Sequence, residues 1–348
     1  MADVDVNPAE ALLEVKNLRT TFFGSDGKYV HAVDNVSFNV RRGEAVALVG
    51  ESGCGKSVTA MSIMRLVASP GKISQGEIRF KGRDLTKLSE REMRNVRGND
   101  IAMIFQEPMT SLNPVFKIGD QVAEAIRIHR KVGKKEAWKQ AGDMLEMVAI
   151  SDPHKRLHDY PHQLSGGMRQ RVMIAIALSC DPELLIADEP TTALDVTIQA
   201  QVMELLASLQ KKLGLAILLI THDLGVVAEF CERIIVMYTG RVVEEAPVTS
   251  LFANPSHPYT RGLLRSLPSV VDAVHTTPNR LATIKGMVPP ISNLPSGCKF
   301  NPRCPDVMDI CLGNEPALMP VTKGQAARCY LHGDAADPER ISELKIEN

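Results

Sequence analysis

Apolar and polar residues alternate along residues 12–23 (LLEVKNLRTTFF) and 31–41 (HAVDNVSFNVR), with the turn-forming stretches GSDG and RRGE beside them. A period of two, rich in β-branched residues and punctuated by turns, predicts β-strands with one buried face. The run AVALV at 45–49 is apolar throughout, the pattern of a strand covered on both faces. It leads into a glycine-rich loop and a helix beginning near Lys56. Further strands are predicted at 76–85 and 100–106. From about residue 115 to 180 strand character gives way to helical spacing. In residues 136–150, Trp138, Ala141, Leu145 and Val148 fall on one helical face, and this stretch reads as a helical insertion. Alternation then resumes with strand 183–188, helix 197–214, strand 215–221, a short helix at 224–231 and a hairpin-like pair at 233–246. Such alternation predicts an α/β fold built on a largely parallel, helix-covered sheet.

From about residue 251 the pattern breaks. Pro255, Pro258, Pro268, Pro278, Pro289, Pro290, Pro295, Pro302, Pro305, Pro316 and Pro320 leave room only for short elements. The chain therefore divides into a short tail (1–11), an α/β domain (12–250), a separate loop-rich extension (251–332) and a polar tail (333–348).

Composition narrows the function. The 348 residues are 44% hydrophobic and 23% charged, the balance of a soluble globular protein. With 40 basic against 41 acidic residues, the net charge of -1 creates no field that would recruit nucleic acid or an anionic membrane. The N-terminus lacks the basic, apolar and small-residue order of a secretory signal, so a cytoplasmic location is expected. The longest apolar runs fall well short of the roughly 20 residues needed to span a bilayer, and membrane contact is expected through a partner.

The chemistry is concentrated in a few places. GESGCGKS, residues 50–57, fits the phosphate-loop pattern directly after a predicted strand and before a helix. Ser52, Gly53 and Gly55 lie in the backbone turn that cradles phosphate, Lys56 reaches the β and γ oxygens, and Ser57 ligates magnesium. The strand at 183–188 ends in two carboxylates. Asp188 is expected to hold magnesium, and Glu189 to orient and deprotonate the attacking water. Gln106 and His222 end two other strands, at the sheet edge where ligands of parallel α/β proteins bind. LSGGMRQR, residues 164–171, opens a long helix whose free N–H groups form a second anion site. That second site is expected to serve the nucleotide of a facing subunit.

These residues, together with ALD at 193–195, stand in the order and spacing of an ATP-binding-cassette (ABC) ATPase, which the chain resembles over about residues 12 to 250. HPYTRGLLRSLP, PPISNLPSGCKFNPRCP and the last cysteine are similar to the C-terminal extension of the oligopeptide/dipeptide importer ATPases, as are QEPMTSLNP and YPHQLSGGMRQRVMIAIAL. The resemblance implies an ABC-type P-loop domain with a parallel sheet core, an antiparallel β subdomain and a helical subdomain at about 115–180. It also implies two cassettes facing head to tail, with ATP sandwiched between the phosphate loop of one and the signature residues Ser165, Gly166, Gly167 and Gln170 of the other. Gln106 would sense the γ-phosphate and magnesium, Asp195 would lie between the two sites, and His222 would contact the γ-phosphate. An aromatic would stack on adenine; spacing favours Phe22 over Phe23 and Tyr29. The implied activity is ATP hydrolysis that moves short peptides inward. The implied partners are a second, related ATPase chain, two permeases and a peptide-binding lipoprotein, on the cytoplasmic face of the membrane. Alternatives are an importer of a cell-wall peptide or metal chelate, or a soluble cassette acting on nucleic acid or ribosomes.

Cys298, Cys304, Cys311 and Cys329 are spaced C-x5-C-x6-C-x17-C in this proline-rich region. A cytoplasmic chain faces a reducing pool, which disfavours disulfides. The spacing points to a four-thiolate metal site without choosing the metal. The importer resemblance favours a 4Fe-4S cluster, with Zn2+ as runner-up, as a structural staple. Cys54, Cys180 and Cys231 read as small core residues.

Overall fold

The computed structural model describes residues 11–24, 27, 29–106, 111–192, 194–267 and 283–333. The N-terminal tail up to residue 10, the polar tail from 334, residues 107–110 of QEPMTSLNP, Ala193 of ALD, and 268–282 with Pro268 and Pro278 lie outside them.

The first two alternating segments form β1 (Ala11–Phe23) and β2 (Tyr29–Arg41), paired antiparallel. The all-apolar run becomes β3 (Ala45–Val49), every residue of it buried, and the phosphate loop runs into α1 (Lys56–Ile63). β4 (Gly71–Phe80) and β5 (Arg83–Asp84) complete a four-stranded antiparallel sheet in the order β2-β1-β4-β5. After α2 (Glu90–Val96) and β6 (Ile101–Ile104) comes a helical layer: α3 (Ile118–Arg130), α4 (Lys134–Met147), α5 (Pro153–Arg156) and α6 (Gly166–Leu178). Ala141, Leu145 and Val148 are fully buried there, as their shared helical face requires.

The chain then returns through β7 (Leu184–Asp188), α7 (Val196–Leu213), β8 (Ala216–Thr221), α8 (Leu224–Phe230), β9 (Arg233–Tyr238) and β10 (Arg241–Pro247). α9 (Val248–Ala253) and α10 (Pro258–Arg265) follow, then α11 (Asp309–Gly313) and the short strands β11 (Met319–Thr322) and β12 (Gln325–Ala327).

The main sheet has eight strands in the order β11-β12-β10-β9-β3-β8-β7-β6. The five from β9 to β6 are parallel, whereas β10, β12 and β11 add antiparallel at one edge. Successive side chains of a strand point to opposite faces, and the core divides accordingly. Ala47, Leu185 and Leu219 join Val122, Leu145 and Val172 on the helical side. Leu48, Ile186 and Leu218 join Leu13, Val33 and Ile78 beneath the antiparallel sheet.

One expectation needs revision. The extension, read from its prolines as separate, contributes β11 and β12 to the main sheet. Fully buried Glu244 of β10 accepts hydrogen bonds from the Ser256 and His257 N–H groups (2.7 and 2.8 Å) and from Gln325 Nε2 (2.9 Å). A carboxylate with three donors is a buried charge that is compensated, and all three donors come from beyond residue 251.

Candidate nucleotide site and its relatives

The loop between β3 and α1 is built on glycines whose backbone no side chain would tolerate. Gly50 has φ 152° and Gly55 φ 101°. A Cβ on Gly50 would stand 2.2 Å from the Met237 carbonyl oxygen, and one on Gly55 2.5 Å from that of Ala32. The loop is thus seated against the ends of two strands. Ser52 and Gly53 are exposed on it. Lys56 is buried, and its Nζ donates to the Gly50 and Glu51 carbonyls at 2.7 and 3.2 Å.

Ser57 Oγ donates to Asp188 Oδ1 at 3.1 Å, which joins the first residue after the lysine to the end of β7. Burial pushes the Asp188 carboxyl up, partly opposed by the Ser57 hydrogen bond; a bound cation would reverse that balance. Glu189 follows at φ 47°, in the left-handed region that non-glycine residues rarely adopt. Its N–H is held by the Ile220 carbonyl at 2.8 Å. Its Oε2 accepts from Gln106 Nε2 (3.1 Å) and Thr192 Oγ1 (2.9 Å), and Oε1 lies 3.3 Å from His222 Nδ1. Burial alone would raise the Glu189 carboxyl; the Thr192 and His222 hydrogen bonds and the His222 and Lys56 charges hold it below its ordinary value. An ionised carboxylate at that point can orient a water and take its proton.

The start of α6, the expected second anion site, lies elsewhere on the chain. Ser165 caps α6, its side chain accepting from the Met168 N–H (3.3 Å), and Ser165 and Gly166 are exposed at the helix start. Gln170, further along α6, is fully buried, with no hydrogen-bond partner for its amide atoms among the described residues. Asp195 caps α7 by accepting from the Ile198 N–H (3.0 Å). Phe22, at the end of β1, is half-buried with its ring against Gly71, whereas Phe23 and Tyr29 are exposed.

Among the described residues no group of three or more His, Cys, Asp or Glu side chains is drawn close enough to hold a metal ion. Cys298, Cys304, Cys311 and Cys329 nonetheless line one small cavity, together with His257 and Phe300. Burial, reinforced by their neighbouring thiols, pushes Cys304 and Cys329 up to about 11.

Sequence reasoning missed Thr192 and the supports of the phosphate loop: Arg303 and Tyr259 from the extension. Tyr259 lies in HPY, a motif noted for its resemblance but given no task.

A probable peptide ABC transporter ATP-binding protein of Sinorhizobium fredii is 54% identical over 93% of this chain and 96% of its own length. The chain belongs to the ABC transporter family. Within this ABC ATPase the ABC transporter family model matches residues 33–192, and the oligopeptide/dipeptide transporter C-terminal region matches 243–311. The oligopeptide transport ATP-binding protein AppD of Bacillus subtilis is 55% identical over 92% of this chain and 97% of its own length. Among solved structures, the dimeric post-hydrolysis state of the ATP-binding cassette MJ0796 with ADP and phosphate superposes with a TM-score of 0.61 at 31% identity. It covers 68% of this chain and 98% of that one. This ABC ATPase hydrolyses ATP, and among its described residues no helix is long and apolar enough to cross a membrane.

Proposed function

We propose that this ABC ATPase powers the inward movement of short peptides through membrane partners. The observation that carries the reading is the grip on Glu189. Its carboxylate is held by Gln106, Thr192 and His222 beside the Ser57–Asp188 pair, which is where a water attacking a loop-bound γ-phosphate must be oriented. Ser57 and Asp188, with Gln106, hold magnesium; Lys56 and the turn at Ser52, Gly53 and Gly55 hold the phosphates; Phe22 stacks on adenine. Because the exposed start of α6 and this loop are separate anion sites, Ser165, Gly166 and Gly167 serve the ATP of a facing cassette, with Asp195 between the two sites. The peptide-transport names of its relatives favour a peptide cargo. The partners are a second, related ATPase chain, two permeases and a peptide-binding lipoprotein, with this chain peripheral on the cytoplasmic face.

The four-cysteine cavity is proposed to hold a 4Fe-4S cluster. Four thiols line one small cavity, and Cys304 and Cys329, raised by burial and by neighbouring thiols, become stable as thiolates beside a cation. Bound there, the cluster supplies a cross-link among loops with little core of their own. Anaerobically purified protein should be brown, with about four irons per chain; colourless protein with one zinc would overturn the assignment.

The function is tested by uptake of a labelled peptide panel in cells lacking this chain. Wild type should restore uptake and Lys56→Ala should not. Peptide uptake that persists without the chain would refute the reading.

A further inference from the structure

We infer that Arg303, in the extension, is a positioning residue for the phosphate loop: it holds and neutralises Glu51, and so sets how tightly this chain's own site binds ATP. Arg303 donates from Nη1 and Nη2 to the two Glu51 carboxylate oxygens, at 2.7 and 3.0 Å. The guanidinium cannot swing away. Its side chain is only 3% exposed, Nε donates to the Lys285 carbonyl at 3.2 Å, and the Tyr238 and Phe300 rings lie 5.8 and 5.9 Å from it. From the same side Tyr259 Oη accepts the Glu51 N–H at 2.9 Å. Two residues of the extension therefore hold Glu51 by backbone and side chain.

Two consequences follow for nucleotide. The carbonyls of Gly50 and Glu51 are the acceptors of Lys56 Nζ, so residue 51 cannot shift without moving the anchor of the lysine that meets the phosphates. And Glu51 is an acid in a loop made to hold a triphosphate. Paired with a buried arginine it is neutralised; alone, its charge repels the ligand. Arg303 also sits in the turn between Cys298 and Cys304, where the Asn301 N–H bonds to the Cys298 carbonyl and Asn301 Nδ2 to the Cys311 carbonyl. The cysteine-bearing turns thus fix the arginine in place.

The test is Mg-ATP affinity of the purified full-length chain, with KM and kcat of the assembled transporter. Arg303→Met should weaken binding about tenfold and raise KM with little change in kcat, since one charge-assisted pair is removed outside the reacting atoms. Arg303→Lys, which keeps the charge and loses the two-pronged contact, should fall in between. The deciding variant is Arg303→Met combined with Glu51→Gln. Removing the unmasked charge should recover affinity to within about threefold of wild type, which a purely structural role would not do. Arg261→Met, at an ion pair within the extension, is the control and should bind as wild type. Wild-type affinity in both Arg303→Met and Arg303→Lys, or a double variant as weak as Arg303→Met, would overturn the inference. Neither result depends on the cargo.

Discussion

Glu244→Ala should release the extension from the sheet. The fully buried carboxylate serves three donors: Oε1 accepts from the Ser256 N–H and Gln325 Nε2, Oε2 from the His257 N–H. Ser256, His257 and Gln325 are themselves at most 4% exposed, so water does not replace the lost acceptor. Gln325 Nε2 keeps the Asn254 carbonyl (3.0 Å) and Ser256 Oγ (2.9 Å) as acceptors, so the Ser256 and His257 N–H groups are the two donors left unpaired; at about 1–3 kcal/mol each, the total is about 2–6 kcal/mol. Glu244→Gln keeps an acceptor for one oxygen's partners and turns an amide N–H toward another donor, so it should cost about a third to a half as much. Native-state proteolysis reports this directly, because cleavage follows the open population when reclosing is fast. A 4 kcal/mol loss raises that population by about a thousandfold. Cleavage should fall between residues 251 and 332, with nucleotide affinity dropping in parallel as Arg303 loses its seat. Cleavage within a few-fold of wild type in Glu244→Ala would refute the reasoning.

Under the proposed head-to-tail sharing, in which α6 and the phosphate loop serve different nucleotides, Ser165→Arg should impair turnover in the assembled transporter while leaving the isolated chain's nucleotide affinity near wild type; loss of affinity in the isolated chain would contradict that sharing. Cys304→Ser should bleach the anaerobically purified protein and expose residues 285–332 to proteolysis, read from iron content and cleavage pattern. Glu44 supplies an acid dependence: burial alone would raise its carboxyl, but Arg233, which donates from Nε at 2.9 Å, and the Arg41 N–H hold it below its ordinary value. A depressed acid stabilises the fold above the unfolded-state value of about 4.3 and loses that contribution as pH falls through the folded one. The stability difference between wild type and Glu44→Gln in urea should therefore shrink between pH 7 and pH 3; a constant difference would exclude the mechanism.

What could be read along the chain was whatever a local period encodes. Residues 45–49 announce a doubly covered strand because all five are apolar, and every residue of β3 is buried. The glycines of residues 50–57 announce a turn that side chains would block, and Gly50 and Gly55 collide with backbone if a Cβ is added. Long-range pairing has no such signature. Arg303 and Glu51 are 252 positions apart, and nothing near Arg303 marks it as a partner of the phosphate loop. The prolines after residue 251 limit element length, and were read as separation; they are compatible with two short strands joining the sheet edge through β10. Gln170 belongs to the same short motif as Ser165, yet it is fully buried while Ser165 is exposed, a difference the motif does not announce.

The most direct test of the account is ATP turnover by the assembled transporter carrying Glu189→Gln, measured beside Mg-ATP binding by the same variant. Phosphate-loop contacts are untouched, so binding should remain near wild type. Turnover should fall by roughly two to four orders of magnitude, the worth of a general base that holds and deprotonates the attacking water. Turnover close to wild type would remove Glu189 from the chemistry, and with it the reading of this site.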